Sequence, residues 1–169
     1  MKLNKKIETW IRINILILLT LVLGHSFISC TGSYYPAAVR KTYSRTETRQ
    51  LVKQAKSYLG TPYRWGGDDR SGMDCSGLVV RVYQDTYQWR LPHKSSLLYK
   101  EGSPVSLRSL EVGDLVFFHQ DRGNQISHVG IYLGNRTFIH ATTSRGVVLS
   151  KLDDRYYRAR YMGARRLKR

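Results

Sequence analysis

Three side chains in this sequence have the types and spacing for acyl transfer: Cys75 in "GMDCSG", His128 heading "HVGIYLG", and His140 closing "TFIHA". A thiol attacks a carbonyl as its thiolate, and the first turn of a helix favours that anion through its unpaired N–H groups and dipole. Asp74 is suited to cap a helix beginning at Cys75, and Gly77 would let substrate or another stretch of chain approach that turn closely. The same amides could hold a developing oxyanion. The thiol needs a base, and the base needs a partner that fixes its tautomer. If the two histidine-bearing stretches form a hairpin centred on Gly134-Asn135, His128 and His140 fall nearly opposite each other. Their rings could then stack, His128 as general base and His140 orienting it.

Blander roles compete with each residue taken singly. A lone cysteine is often a small buried hydrophobe, and a histidine on a strand is more often structural than catalytic. Cys75, His119, His128 and His140 are zinc-ligand types, but no tight pair such as C-x-x-C or H-E-x-x-H accompanies them, so neither a metal nor a cofactor is expected. Asp114 reads as a hydrogen bonder at a turn or strand start, His93 and His119 as solvated or structural, and Trp65 as a packing residue. Arg64 is a candidate to meet a substrate carboxylate.

The other cysteine has a different context. Lys2, Lys5, Lys6 and Arg12 precede an apolar run from Ile15 to Leu23, and small residues follow around Ser29 and Cys30, the layout of an export signal over 1–29. The run is short for a bilayer span. "FISC" resembles a bacterial lipoprotein signal, which would make Cys30 the acylated first mature residue and leave Cys75 without a disulfide partner. Residues 30–43 read as a tether. Thr31 after Cys30, where an aspartate is associated with inner-membrane retention, points to an outer-membrane anchor facing the periplasm.

The chain carries 28 basic and 12 acidic side chains, a net charge of +16. That charge suits any polyanion, whether nucleic acid, anionic lipid or an acidic wall polymer. With no nucleic-acid-binding signature and an export signal present, nucleic acid is the least favoured partner.

The elements that must position the three residues follow from pattern. Residues 44–169 are long enough for one domain. Ser44 and Glu47 form a capping box for a first helix over Arg45 to Leu59, ended by Gly60 and Pro62. A second helix runs from Cys75 to about Thr86, and "LPHKSSLLYKEG" holds a short third. Then "DLVFFH", "HVGIYLG", "TFIHAT" and "GVVLS" read as strands separated by turns at Asp121 to Asn124, Gly134-Asn135 and Ser144 to Gly146. The basic stretch Arg155 to Arg169 reads as a last strand with a charged solvent face. Helices first and an antiparallel meander afterwards make the fold class α+β.

"GTPYRWGG", "DCSGLV", "GDLVFF", "HVGIYLG", "FIHA" and "YMGARR", in that order over Thr46 to Arg166, resemble the NlpC family of bacterial cell-wall cysteine peptidases. The resemblance implies a papain-like fold, with Cys75 as nucleophile, His128 as base and His140 as the third member. It further implies that Tyr63 lies near the oxyanion hole and that Asp74 and Ser76 line the substrate groove. The expected substrate is a peptidoglycan stem peptide, cut at a γ-D-glutamyl-diamino acid bond or at the cross-bridge, by a monomer without cofactor. An acyltransferase or amidase on the same scaffold, and a wall-binding lipoprotein without activity, are the alternatives.

Overall fold

In a computed structural model of the chain, residues 44–119 and 125–167 are described. The export signal, Cys30, the tether and the expected Asp121 to Asn124 turn lie outside them. Helix α1 spans Arg45–Lys56. Its capping box forms as the sequence requires, with the Glu47 amide donating to Ser44 Oγ and the Ser44 amide to the Glu47 carboxylate. The helix ends three residues sooner than expected, in a turn to Gly60. A two-stranded hairpin, β1 (Asp68–Asp69) and β2 (Gly72–Met73), leads into α2, Cys75–Tyr87. Next come α3 (Ser95–Leu98), β3 (Ser103–Val105), β4 (Leu115–Phe118), β5 (His128–Gly134), β6 (Thr137–Thr142), β7 (Gly146–Lys151), α4 (Arg155–Arg158) and β8 (Tyr161–Arg166).

The strands β3 to β8 form one antiparallel sheet in the order β3-β8-β4-β5-β6-β7. The expected meander is β4 to β7. Alternation along each strand divides the sheet between two apolar layers. Leu115, Phe117, Val129, Ile131 and Ile139 pack with Leu51 and Ala55 of α1 and with Leu78, Val79 and Val82 of α2. Val116, Phe118, Tyr132 and Phe138 pack on the other layer with Leu152 and Ala164. The fold is therefore α+β, with the early helices on one face of an antiparallel sheet. Among the described residues no helix is long and apolar enough to cross a membrane.

The last strand departs from expectation. β8 lies between β3 and β4, inside the sheet, because β3 supplies a further edge that "SPV" does not advertise. Arg166, expected on a solvent face, is 8% exposed and donates to both oxygens of fully buried Asp114 (2.7 and 2.8 Å), with Glu111 at 2.9 Å. Asp114 also accepts from the Glu111 amide, so its strand-start role includes a buried ion pair. Tyr83 of α2 donates to the carbonyl of Gly113, tying the helix to the start of β4.

Candidate active site

Asp74 starts the site. Its Oδ1 accepts from the Gly77 amide (2.7 Å) and the Ser76 hydroxyl (2.9 Å), and its Oδ2 from the Gly66 amide (2.9 Å). His93 donates to Oδ1 at 3.1 Å. Burial would push this carboxyl up, but the hydrogen bonds from Gly77, His93, Ser76 and Gly66 outweigh it and hold it below its ordinary value. Asp74 is thus an ionised N-cap, and the Gly-rich loop is folded onto it. Gly77 explains how: a Cβ there would lie 2.0 Å from the Gly67 carbonyl oxygen, so the chain admitted to the first turn of α2 is the loop itself.

Cys75 occupies the first position of α2, at the floor of a groove of about 420 Å³ shared with Tyr63, Trp65, Asp74, Ser76, His93 and His128. Burial pushes the thiol up to about 11, against the downward pull of the Val129, Ser76 and Cys75 amides, while the Asp74 charge pushes it further up. Desolvation of the sulfur thus opposes the stabilisation of the anion that the helix terminus offers. The Val129 amide that acts on the sulfur is next in chain to His128, which brings the start of β5 against the thiol. Burial also raises the Tyr63 phenol, with the Cys75 and Asp74 charges adding to it.

The two imidazoles meet, but not as a stacked pair. His128 Nε2 lies 2.8 Å from His140 Nδ1, with the ring planes 85° apart. The hairpin turn is Asn135 and Arg136, both at positive φ (48° and 59°), and the register shifts between Tyr132 and Gly134. Beyond the shift Ile131 pairs with Ile139, so His140 falls opposite Gly130 and His128 reaches it diagonally. Gly130 leaves the room, since a Cβ there would lie 2.6 Å from the Phe138 ring and 3.3 Å from the His140 Cβ. Both rings are buried among aromatics: Phe118 beside His128, and Phe138 and Tyr157 beside His140. Burial pushes His128 down to about 4, with Asp74 pulling the other way. Burial, then the His128 and Arg145 charges, push His140 down to about 2. Its Nε2 faces the Ser150 hydroxyl at 2.9 Å and the Tyr157 hydroxyl at 3.3 Å.

Other candidates fall in different places. Trp65 is 87% exposed and lines the groove, so it is no packing residue. Arg64 pairs with Asp69 at 3.0 Å. His93, read as solvated or structural, lies in the groove on Asp74, and its place after a loop proline gave no hint of that contact. His119 follows β4, its amide bonded to the Arg160 carbonyl, and is not among the groove residues. Ser150 and Tyr157 escaped sequence reading because a strand serine and a tyrosine in a basic segment carry no motif. No group of three or more His, Cys, Asp or Glu side chains among the described residues is arranged to hold a metal ion.

The profile of the NlpC/P60 family matches residues 60–166. The chain is 42% identical over 132 residues to the Probable endopeptidase NlpC of Escherichia coli K12, covering 78% of this chain and 86% of that protein. It is 39% identical over 118 residues to the Murein DD-endopeptidase MepS/Murein LD-carboxypeptidase of the same organism, the match spanning 70% of this chain and 62% of that protein. Among solved structures, a lipoprotein-like NLP/P60 family protein from Staphylococcus aureus aligns with a TM-score of 0.70 and 30% identity, over 80% of this chain and 46% of that one. The matched span runs from the loop ahead of Tyr63 through Cys75, His128 and His140 to the end of β8, and by it the chain belongs to the NlpC/P60 family.

Proposed function

We propose that the protein is a peptidoglycan endopeptidase in which Cys75 is the nucleophile, His128 the base and His140 the residue that orients it. The observation that carries this reading is a helix-start thiol sharing one groove with His128, itself hydrogen-bonded to His140. Relatives named as murein and peptidoglycan endopeptidases support the substrate class. With Nε2 of His128 committed to His140, Nδ1 is the nitrogen left to receive the thiol proton. The proton passes to Nδ1 as the sulfur attacks the substrate carbonyl. The amides of the first turn of α2 and the Tyr63 hydroxyl steady the oxyanion. His128 then protonates the leaving amine, and water deprotonated by His128 releases the acyl group from sulfur.

The bond is an amide of the stem peptide or cross-bridge, with the γ-D-glutamyl-diamino acid bond as the first candidate. Cys30 is the lipid attachment point in this reading, anchoring the domain through residues 30–43 in the envelope, at the periplasmic face of the outer membrane. Mass spectrometry of purified muropeptides incubated with the protein is the test. Hydrolysed fragments that vanish with Cys75→Ala support the reading. Unchanged muropeptides under conditions where the protein still binds sacculi would instead favour a wall-binding role, and a product carrying a new acyl group would favour a transferase.

A further inference from the structure

The orienting histidine is itself oriented. His140 Nε2 is approached by two hydroxyls, from Ser150 on β7 at 2.9 Å and from Tyr157 on α4 at 3.3 Å. A bare ring nitrogen has one lone pair and accepts one hydrogen, so of two hydroxyls aimed at it, buried Ser150 and half-buried Tyr157, one would be left unused. A ring N–H, by contrast, can be shared between two acceptor oxygens. We propose that Ser150 and Tyr157 are positioning residues which hold the proton of His140 on Nε2, and thereby keep Nδ1 of His128 bare toward Cys75.

The consequence runs along the chain of rings. With its proton on Nε2, neutral His140 offers Nδ1 as an acceptor, which takes the N–H of His128 Nε2. Neutral His128 carries one ring proton, so Nδ1 is then free to receive the thiol hydrogen. Reverse the His140 tautomer and its Nδ1–H donates to His128 Nε2. His128 then carries its proton on Nδ1, facing the sulfur, and cannot act as a base. The sheet makes the arrangement possible: His140 pairs with Val148, so Ser150 stands on the same face of β7, two residues along. Tyr157 packs its ring against His140 edge-on at 5.2 Å.

The inference rests on the proposed roles of Cys75 and His128, yet its test needs no wall substrate. Ring nitrogen shifts of His140 in the full-length, nitrogen-15-labelled protein, assigned with His140→Gln, report the tautomer directly. A protonated Nε2 and bare Nδ1 are expected, and a protonated Nδ1 overturns the proposal whatever the activity on muropeptides. The second measurement is the pH profile of Cys75 alkylation by iodoacetamide. Ser150→Ala with Tyr157→Phe is expected to lower the rate about tenfold at neutral pH. Ser150→Thr, which keeps the oxygen, should restore most of it when paired with Tyr157→Phe, and the loss should disappear in a His140→Ala background. An unchanged rate in the folded double variant overturns the proposal. If the double variant does not fold, the wild-type tautomer and the single Tyr157→Phe variant decide. Failure of muropeptide cleavage with the tautomer as expected would count against the proposed function and leave this arrangement standing.

Discussion

His93 donates a 3.1 Å hydrogen bond to Asp74, fastening the loop before α3 to the residue directly ahead of Cys75. Asp74 also acts on both proposed partners in the reaction, raising the Cys75 thiol and raising His128. These influences oppose each other in a thiolate-imidazolium pair, so the carboxylate shapes the turn more than it drives ionisation. Replacing His93 by Ala is expected to cost about 1 kcal/mol of stability, because the ring is partly solvated and Asp74 keeps its backbone donors. The Asp74 carboxyl is depressed in the fold, so the stability it lends is present above its unfolded value near 3.8 and is lost as pH falls through the lower folded value. Urea unfolding of wild type and His93→Ala at pH 7 checks the first statement, and wild-type unfolding followed from pH 5 down to pH 2 checks the second.

The buried imidazoles predict sensitivity to milder acid. An unfolded histidine takes up its proton near 6.5, whereas folded His128 resists to about 4 and His140 to about 2. The unfolded chain therefore binds more protons than the folded one below pH 6.5. Stability is full above that value and falls on acidification, by up to about 1.4 kcal/mol per pH unit for each group. Denaturant midpoints between pH 7 and pH 5 measure the slope. His140→Gln should remove about one proton's share of it, and a slope unaffected by that change would mean that His140 is charged in the fold.

The thiol predicts a chemical signature. Because burial pushes Cys75 up to about 11, alkylation should accelerate with pH well beyond the ordinary thiol range near 9. Cys75→Ser should lower muropeptide cleavage at least a thousandfold, since a hydroxyl with this base is a far weaker nucleophile. Mass-spectrometric rates of carboxamidomethylation from pH 6 to pH 11 give the titration. A midpoint below pH 8 would mean that a thiolate-imidazolium pair already exists at rest.

Asp114 and Arg166 predict a stability effect remote from the chemistry. Removing the carboxylate with Asp114→Ala leaves Arg166 inside the fold with Glu111 as its remaining acidic partner. A loss of about 3 kcal/mol is expected, read by urea unfolding. The Cys75 alkylation profile of the folded fraction should not change.

Local rules carried much of the architecture. The Ser44 capping box, the Asp74 N-cap and the four-strand meander are set by neighbours in sequence and were legible there. So were the groups that the site assembles, because Cys75, His128 and His140 have distinctive chemistry at fixed spacing. What sequence hid depends on distant contacts. The position of β8 is fixed by pairing with β3 and β4, some sixty and some forty-five residues earlier in the chain. The perpendicular meeting of the imidazoles follows from a bulge near Gly134 that no turn propensity specifies. The upward push on the thiol reflects burial, which competes with the helix terminus only once the fold has surrounded the sulfur. Trp65 shows the reverse error, a large aromatic left in solvent beside the groove.

The interior place of β8 sets an order of events in biosynthesis. Ribosomes deliver the chain from the amino end, so β4 to β7 emerge with one flank of β4 bare and β3 unattached. Until Arg166 has emerged, Asp114 lacks the cation that neutralises it and the barrier against edge-to-edge aggregation is missing. A nascent chain is therefore expected to stay incompletely folded, with an open strand edge on β4, until synthesis of the domain is nearly done.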